Sequence, residues 1–109
     1  MMIDQKIEEI VNNLINCWEE DTINLSFHDI NHPCFSIIKI LAERDDYIET
    51  VITTILRRMR KELTWSFVIL WHIVPEEDRP VIPEEAKGKI QVLTDIWIAW
   101  GKEKGYLNE

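Results

Sequence analysis

The last third of the chain constrains the fold most, because it holds two apolar stretches with helical spacing joined by a proline-rich loop. Prolines stand at positions 75, 80 and 83, and proline is favoured at the first position of a helix but breaks a helix interior. This pattern predicts two helices that pack through aromatic side chains. Four of the five tryptophans lie on the two stretches: Trp65, Trp71, Trp97 and Trp100.

Three more helices are predicted upstream. Apolar residues recur at steps of three and four over residues 3–20, 33–44 and 46–62, which is the period of an α-helix. The second of these segments is short and apolar around most of its circumference, so we expect it at the centre of the fold. The third begins with acidic residues and ends with basic ones, which suits the helix dipole at both ends.

The segment over residues 65–74 allows two interpretations. Most of its residues are β-branched or aromatic, so a buried strand is the alternative to a helix. We favour a helix because of the length of the segment and its helical neighbours, with Thr64 as its cap. Since the segment has almost no polar face, we expect it to be buried all round, with Trp71 as a core residue.

The final helix is predicted to begin at Pro83, which is followed by two glutamates where the first turn of a helix favours them. Gly88 marks a kink or a break, and Gly101 and Gly105 are candidate C-terminal stops. The sequence therefore predicts an all-α fold, a compact bundle of about five helices with HEAT-like helix pairs. We expect one helical domain over residues 1–109.

Charge and composition limit the partners. The net charge is −8, and residues 1–50 carry all of it. That excess disfavours direct nucleic-acid binding and favours a basic protein partner, with plain solubility as the alternative explanation. No apolar run approaches the roughly 20 residues that a membrane span needs, and no signal peptide is evident. We therefore predict a cytoplasmic protein with no membrane association and with reduced cysteines.

His28, His32 and Cys34 form an H-x3-H-x-C pattern beside Asp29. Imidazole and thiolate are good zinc ligands. However, no second ligand pair accompanies them, and Cys17 would have to supply a fourth ligand from an amphipathic helix. We therefore predict capping and loop roles for these residues, with no metal and no cofactor, and leave metal binding as the alternative.

No catalytic site is predicted. His72 is expected at the edge of the core with one hydrogen-bonded ring nitrogen, and a general-base role is the alternative. Adjacent carboxylates on a helix diverge by about 100°, so the acidic pairs do not converge on one reacting atom. No nucleophile motif and no glycine-rich phosphate loop accompany them. The chain is therefore not expected to be an enzyme.

Candidate partner-binding residues come from the tryptophans and the acidic half. Tryptophan is enriched at binding hot spots, and Trp100, near a helix end, is expected to keep an accessible ring edge. The predicted function is a small protein-interaction module, either antitoxin-like, immunity-like or regulatory. A self-associating structural homodimer is the alternative. The predicted partner-binding residues are Trp97, Trp100, Glu8, Glu9, Glu19 and Glu20.

Residues 32–107 also resemble a group of short, uncharacterised bacterial proteins with a P-V-P-E…G…W-x-x-W-G-x-x-x-G-Y signature. The resemblance implies a small HEAT-like helical protein of bacterial origin and brings no activity with it. The chain departs from the pattern at Val68 and at Val74-Pro75, where the group has a small residue and a glycine. The specific part of the match is carried by Pro80-Val81, Pro83-Glu84, Gly88, Trp97, Trp100-Gly101 and Gly105-Tyr106.

Overall fold

A computed structural model describes the backbone of residues 2–24 and 32–107, with side chains over 5–20 and 32–107. Across these residues the fold is all-helical and contains no strand. Its Cα radius of gyration of 13.2 Å equals the value of about 13 Å expected for a compact chain of this length. The helices are α1 (Met2–Asn24), α2 (Pro33–Ala42), α3 (Ile48–Lys61), α4 (Phe67–Ile73) and α5 (Ile90–Lys104).

The centre of the bundle is α3, which packs against each of the other four helices. Its buried face carries an apolar stripe at helical spacing that includes Val51, Ile52, Ile55 and Leu56, all fully buried. The expectation that α2 would be central is wrong. Ile37 and Ile40 of α2 are 44% and 61% exposed, because α2 covers one side of the bundle and needs only one apolar face.

Polar contacts join α1 to α3 at the end of the core. Arg58 of α3 pairs with Glu19 of α1 at 3.2 Å between Nη2 and Oε2, and it donates hydrogen bonds to Asn12 and Asn16. Glu19 also accepts a hydrogen bond of 3.0 Å from the Ser66 hydroxyl, just before α4. Because the Arg58 and Glu19 side chains are only 14% and 21% exposed, this pair fixes how three helices meet.

The segment over 65–74 is a helix and not a strand, although α4 is shorter than predicted. Ser66 precedes α4 as its N-cap residue, so the prediction that Thr64 caps this helix is wrong. The Thr64 hydroxyl lies 2.8 Å from the Ser66 hydroxyl and accepts from the Ser66 backbone N–H. Thr64 therefore orders the turn that leads into the helix.

The last helix starts later than predicted. Glu84–Ala86 form a separate 3-10 turn, and Gly88, which has a positive φ, interrupts the helical backbone before α5 begins. Gly105, with φ +89°, ends α5, and the Tyr106 N–H bonds back to the Gly101 carbonyl at 2.8 Å, as in a Schellman motif. Gly101 itself lies inside the helix, so its prediction as a stop is wrong.

Gly101 instead permits close packing between α5 and α3. A Cβ atom at this position would lie 2.6 Å from Cδ1 of the fully buried Leu56 and 3.4 Å from Cδ1 of Leu107. Glycine is the one residue that leaves this space free.

The HEAT-like pairing of helices stays a prediction. No helix within the described ranges has the length and apolar character that crossing a membrane requires.

Candidate partner-binding groove

The aromatic side chains of the last third form a continuous row. Trp71 meets Trp97 edge to face, with ring centroids 6.5 Å apart, and Trp97 meets Trp100 in the same way at 5.2 Å. Trp100 in turn stacks on Tyr106 at 5.4 Å. The two middle tryptophans are buried, whereas Trp71 at the end of the row is 40% exposed.

Trp71 is held in place by the loop that follows α4. The Arg79 guanidinium lies 4.4 Å above the centroid of the Trp71 ring, which is a cation–π geometry. Nε of Arg79 also donates a hydrogen bond of 3.3 Å to the Val74 carbonyl, which fixes the guanidinium over the ring. With Trp97 against its edge and Arg79 on one face, the exposed indole is preorganised.

A groove of about 250 Å³ opens beside Trp71. Its lining is almost entirely apolar, and it comes from α4, α5 and the loop between them. Lys87 is the exception, and its ammonium pairs at 3.2 Å with the exposed carboxylate of Glu84. The Trp71 groove, as we call it, is lined by Phe67, Val68, Trp71, Ile82, Lys87, Leu93 and Trp97.

Two expectations about the tryptophans are wrong. Trp100 has no accessible ring edge, since it is 7% exposed and its indole N–H donates a hydrogen bond of 2.7 Å to the Asp78 carbonyl. Trp71, expected in the core, is the exposed one. Trp97 is 1% exposed and forms the groove wall. The prediction that Trp97 and Trp100 bind a partner assumed that one of the two rings is exposed, and both are buried.

The predicted acidic residues lie on α1, away from the groove lining. Glu9 and Glu20 are exposed, and Glu8 is half-buried beside Thr54 and Arg57. Glu19 forms a salt bridge with Arg58 and accepts a hydrogen bond from Ser66 inside the fold. A steering role for Glu8, Glu9 and Glu20 stays a prediction, while the main contacts of Glu19 are internal.

His72 is exposed and lies at the edge of the core, against the buried Phe35. Its ring makes an edge-on contact with Phe35, with centroids 5.5 Å apart. Partial burial lowers the pKa of His72 below its usual 6.5, and the positive charges of Lys39 and Arg79 lower it further. The ring is therefore protonated less readily than a free imidazole, and Arg79, one of the two cations, also lies over the Trp71 ring.

The fold also brings together three potential metal ligands. Ligand atoms of Cys17, His32 and Cys34 lie within 4.8 Å of one another. The predicted capping role of His32 is confirmed, because its Nδ1 accepts a hydrogen bond of 3.1 Å from the Cys34 N–H at the start of α2. His28 and Asp29, the other members of the predicted cluster, lie outside the described residues.

Sequence reasoning missed Trp71 as the exposed tryptophan, whereas it named Cys17 as the residue that would have to join His32 and Cys34 in a metal site. The sequence offers part of the signal for an exposed Trp71, because Arg79 follows it by only eight positions and can reach its ring. Helical periodicity, however, does not show which face of a helix the following loop leaves uncovered.

Comparison of the chain with protein-family models, curated proteins and solved structures gives no significant match. The resemblance to short bacterial proteins therefore stays a prediction.

Proposed function

We propose that this domain is a protein-interaction module that receives an apolar side chain of a basic protein partner in the Trp71 groove. The observation that carries the proposal is the exposed Trp71, fixed between Trp97 and Arg79 at the edge of an apolar groove. Rigid, partly exposed tryptophans beside apolar pockets are the usual anchors of binding hot spots. An antitoxin, an immunity protein or a small regulator would act through such a surface.

Charge supports a basic partner. The segment over 76–87, which contributes Ile82 and Lys87 to the groove, carries five acids and two bases. Glu76, Glu77 and Asp78 are exposed within it. Together with the net charge of −8, this surface would attract a positively charged protein and hold it in register around the groove.

The central experiment compares capture of partners by three forms of the protein. Wild type, Trp71→Ala and Val92→Ala would each be immobilised and exposed to a lysate of the source organism. Val92 is the matched control, since it is as exposed as Trp71, at 40%, and lies outside the groove lining. A protein retained by wild type and Val92→Ala but lost with Trp71→Ala would be purified and titrated directly.

With the purified partner, Trp71→Ala should weaken binding by about 30-fold or more, which corresponds to the roughly 2 kcal/mol of a hot spot. Val92→Ala should bind within a few-fold of wild type. Equal affinity of Trp71→Ala and wild type would show that the groove is not the binding surface.

The acidic residues provide a second, kinetic test. Converting exposed Glu76 and Glu77 to glutamine should slow association and flatten its dependence on salt, because charges within a Debye length of the contact steer encounter most. The same change at Glu9 and Glu20 of α1 should have a smaller effect in the same direction. Association rates that do not vary between low and physiological salt would assign the charge to solubility alone.

A homodimer is the competing occupant of the groove. Sedimentation of the wild-type protein at tens of micromolar decides between the two, since the proposal expects a monomer. A dimer that Trp71→Ala converts to a monomer would mean that a second copy of the chain covers the groove, and the proposed heterologous partner would be wrong.

A further inference from the structure

The strongest unassigned cluster in the part of the chain that the structure describes is the Cys17, His32 and Cys34 set. Cys17 belongs to α1, whereas His32 and Cys34 flank Pro33 at the first turn of α2. Cys17 precedes His32 by 15 positions and Cys34 by 17, and the packing of α1 on α2 brings the three residues to one place. All three side chains are ligands that zinc commonly takes, namely two thiolates and one imidazole.

From this geometry we propose that Cys17, His32 and Cys34 form a three-ligand Zn²⁺ site that clamps α1 to the start of α2. The fourth coordination position would be left to water. This inference is independent of the Trp71 groove, which lies between α4 and α5.

The spacing of the ligand atoms fits with a small adjustment. Tetrahedral zinc, with bonds of about 2.3 Å to sulfur and 2.0–2.1 Å to nitrogen, holds its ligand atoms about 3.5–3.8 Å apart. The three atoms here already lie within 4.8 Å of one another. Cys17 is exposed, so its side chain can change rotamer at the surface and close the remaining distance.

The accessibility of the ligands suits reversible metal binding. Cys34 and His32 are buried at the helix start, whereas Cys17 faces solvent. A metal ion would reach the site from the Cys17 side and meet the two buried ligands behind it. On binding, the two thiols lose their protons to the buffer, and the resulting thiolates neutralise the charge of the ion.

Metal binding would change the cap of α2. The Nδ1 atom of His32 accepts the Cys34 N–H, and a neutral imidazole has only one nitrogen with a free lone pair. If Nδ1 binds the metal, its lone pair is used; if Nε2 binds it, Nδ1 carries the proton. In both cases this hydrogen bond is exchanged for a metal bond, so the Cys34 amide reports on occupancy.

The test uses Co²⁺ as a spectroscopic probe of the reduced, metal-free full chain. We expect one Co²⁺ per chain, with a near-ultraviolet thiolate-to-cobalt band and the intense visible bands of tetrahedral coordination. Zn²⁺ should displace the cobalt and remove these bands, and it should shift the Cys34 amide resonance. Failure of the reduced protein to develop the thiolate band would overturn the proposal.

Three variants assign the ligands. Cys17→Ser is the main test because its exposed site tolerates the change, and it should weaken Co²⁺ binding by more than the 10–100-fold that loss of a residue merely orienting a ligand costs. Cys34→Ser should do the same. His32→Asn keeps a good N-cap, so it should weaken metal binding while leaving helix content unchanged. Persistence of the band in Cys17→Ser would contradict the assignment.

A control and a competing outcome complete the design. His72→Gln removes an exposed histidine on another helix and should leave Co²⁺ affinity unchanged; weaker binding would place the ion elsewhere. Thiol titration of protein kept in air tests a disulfide between Cys17 and Cys34. If both thiols disappear and the re-reduced protein binds Co²⁺ no better than the oxidised one, the pair is a disulfide and the metal site is wrong.

Discussion

Replacing Trp100 with alanine should destabilise the protein more than replacing Trp71. Trp100 is 7% exposed and lies between Trp97 and Tyr106. Its N–H also ties the loop after α4 to α5 through the Asp78 carbonyl. Truncation would therefore open a cavity in the core and release the loop at the same time.

The magnitudes follow from burial. A fully buried tryptophan costs about 3–5 kcal/mol when cut to alanine, and loss of the hydrogen bond to Asp78 adds about 1 kcal/mol. Trp71 keeps 40% of its surface in water, so its truncation loses roughly three fifths of such a burial term, or about 2–3 kcal/mol. Trp100→Ala should thus exceed Trp71→Ala by about 2–3 kcal/mol, out of a total stability of roughly 5–15 kcal/mol.

Urea unfolding followed by far-ultraviolet circular dichroism measures both values, provided that the slopes of the transitions agree. Trp100→Phe is the matched variant, since it keeps an aromatic ring but removes the N–H donor. It should cost about 1–2 kcal/mol. Equal or greater destabilisation by Trp71→Ala would refute the assignment of Trp100 to the core and of Trp71 to the surface.

Two further predictions concern packing and pH. Gly101→Ala should lower the urea midpoint, because its Cβ would lie 2.6 Å from Leu56 Cδ1. This overpacking costs about 1–3 kcal/mol, against a gain of about 1 kcal/mol in helix propensity. An unchanged midpoint would mean that Leu56 moves freely. The lowered pKa of His72, caused by burial and then by Lys39 and Arg79, means that the unfolded state binds a proton more readily. The stability that neutral His72 contributes is therefore present above about pH 6.5 and is lost as the pH falls. His72→Gln should thus reduce the drop in urea midpoint between pH 7 and pH 5. An identical drop in the variant and the wild type would contradict this.

Much of the fold follows from sequence periodicity alone. The stripe at steps of three and four predicts α1 and α3 because both bury a single face against the core. Gly105 predicts the end of α5 because only a left-handed residue closes that helix with the observed backbone bonds. These features are local, so the sequence around each of them is sufficient.

Centrality could not be predicted in the same way. Helix α2 is more apolar than α3, yet α3 occupies the middle of the bundle and Ile37 and Ile40 of α2 face solvent. Helix α2 contacts three neighbours, α1, α3 and α4, whereas α3, with 14 residues instead of ten, contacts all four of the other helices. Mean apolarity therefore says less about position than length and the number of available partners do.

The tryptophans show where local reasoning ends. Helical spacing places Trp97 and Trp100 on one face of α5, but it does not say what covers that face. The covering is done by the loop after α4, whose Asp78 carbonyl accepts the Trp100 N–H and whose Arg79 reaches back over Trp71. Because the connection between α4 and α5 both covers Trp100 and borders the groove beside Trp71, its path determines which aromatic surface is exposed. A change in that loop should therefore alter both the stability of the α5 face and the shape of the groove.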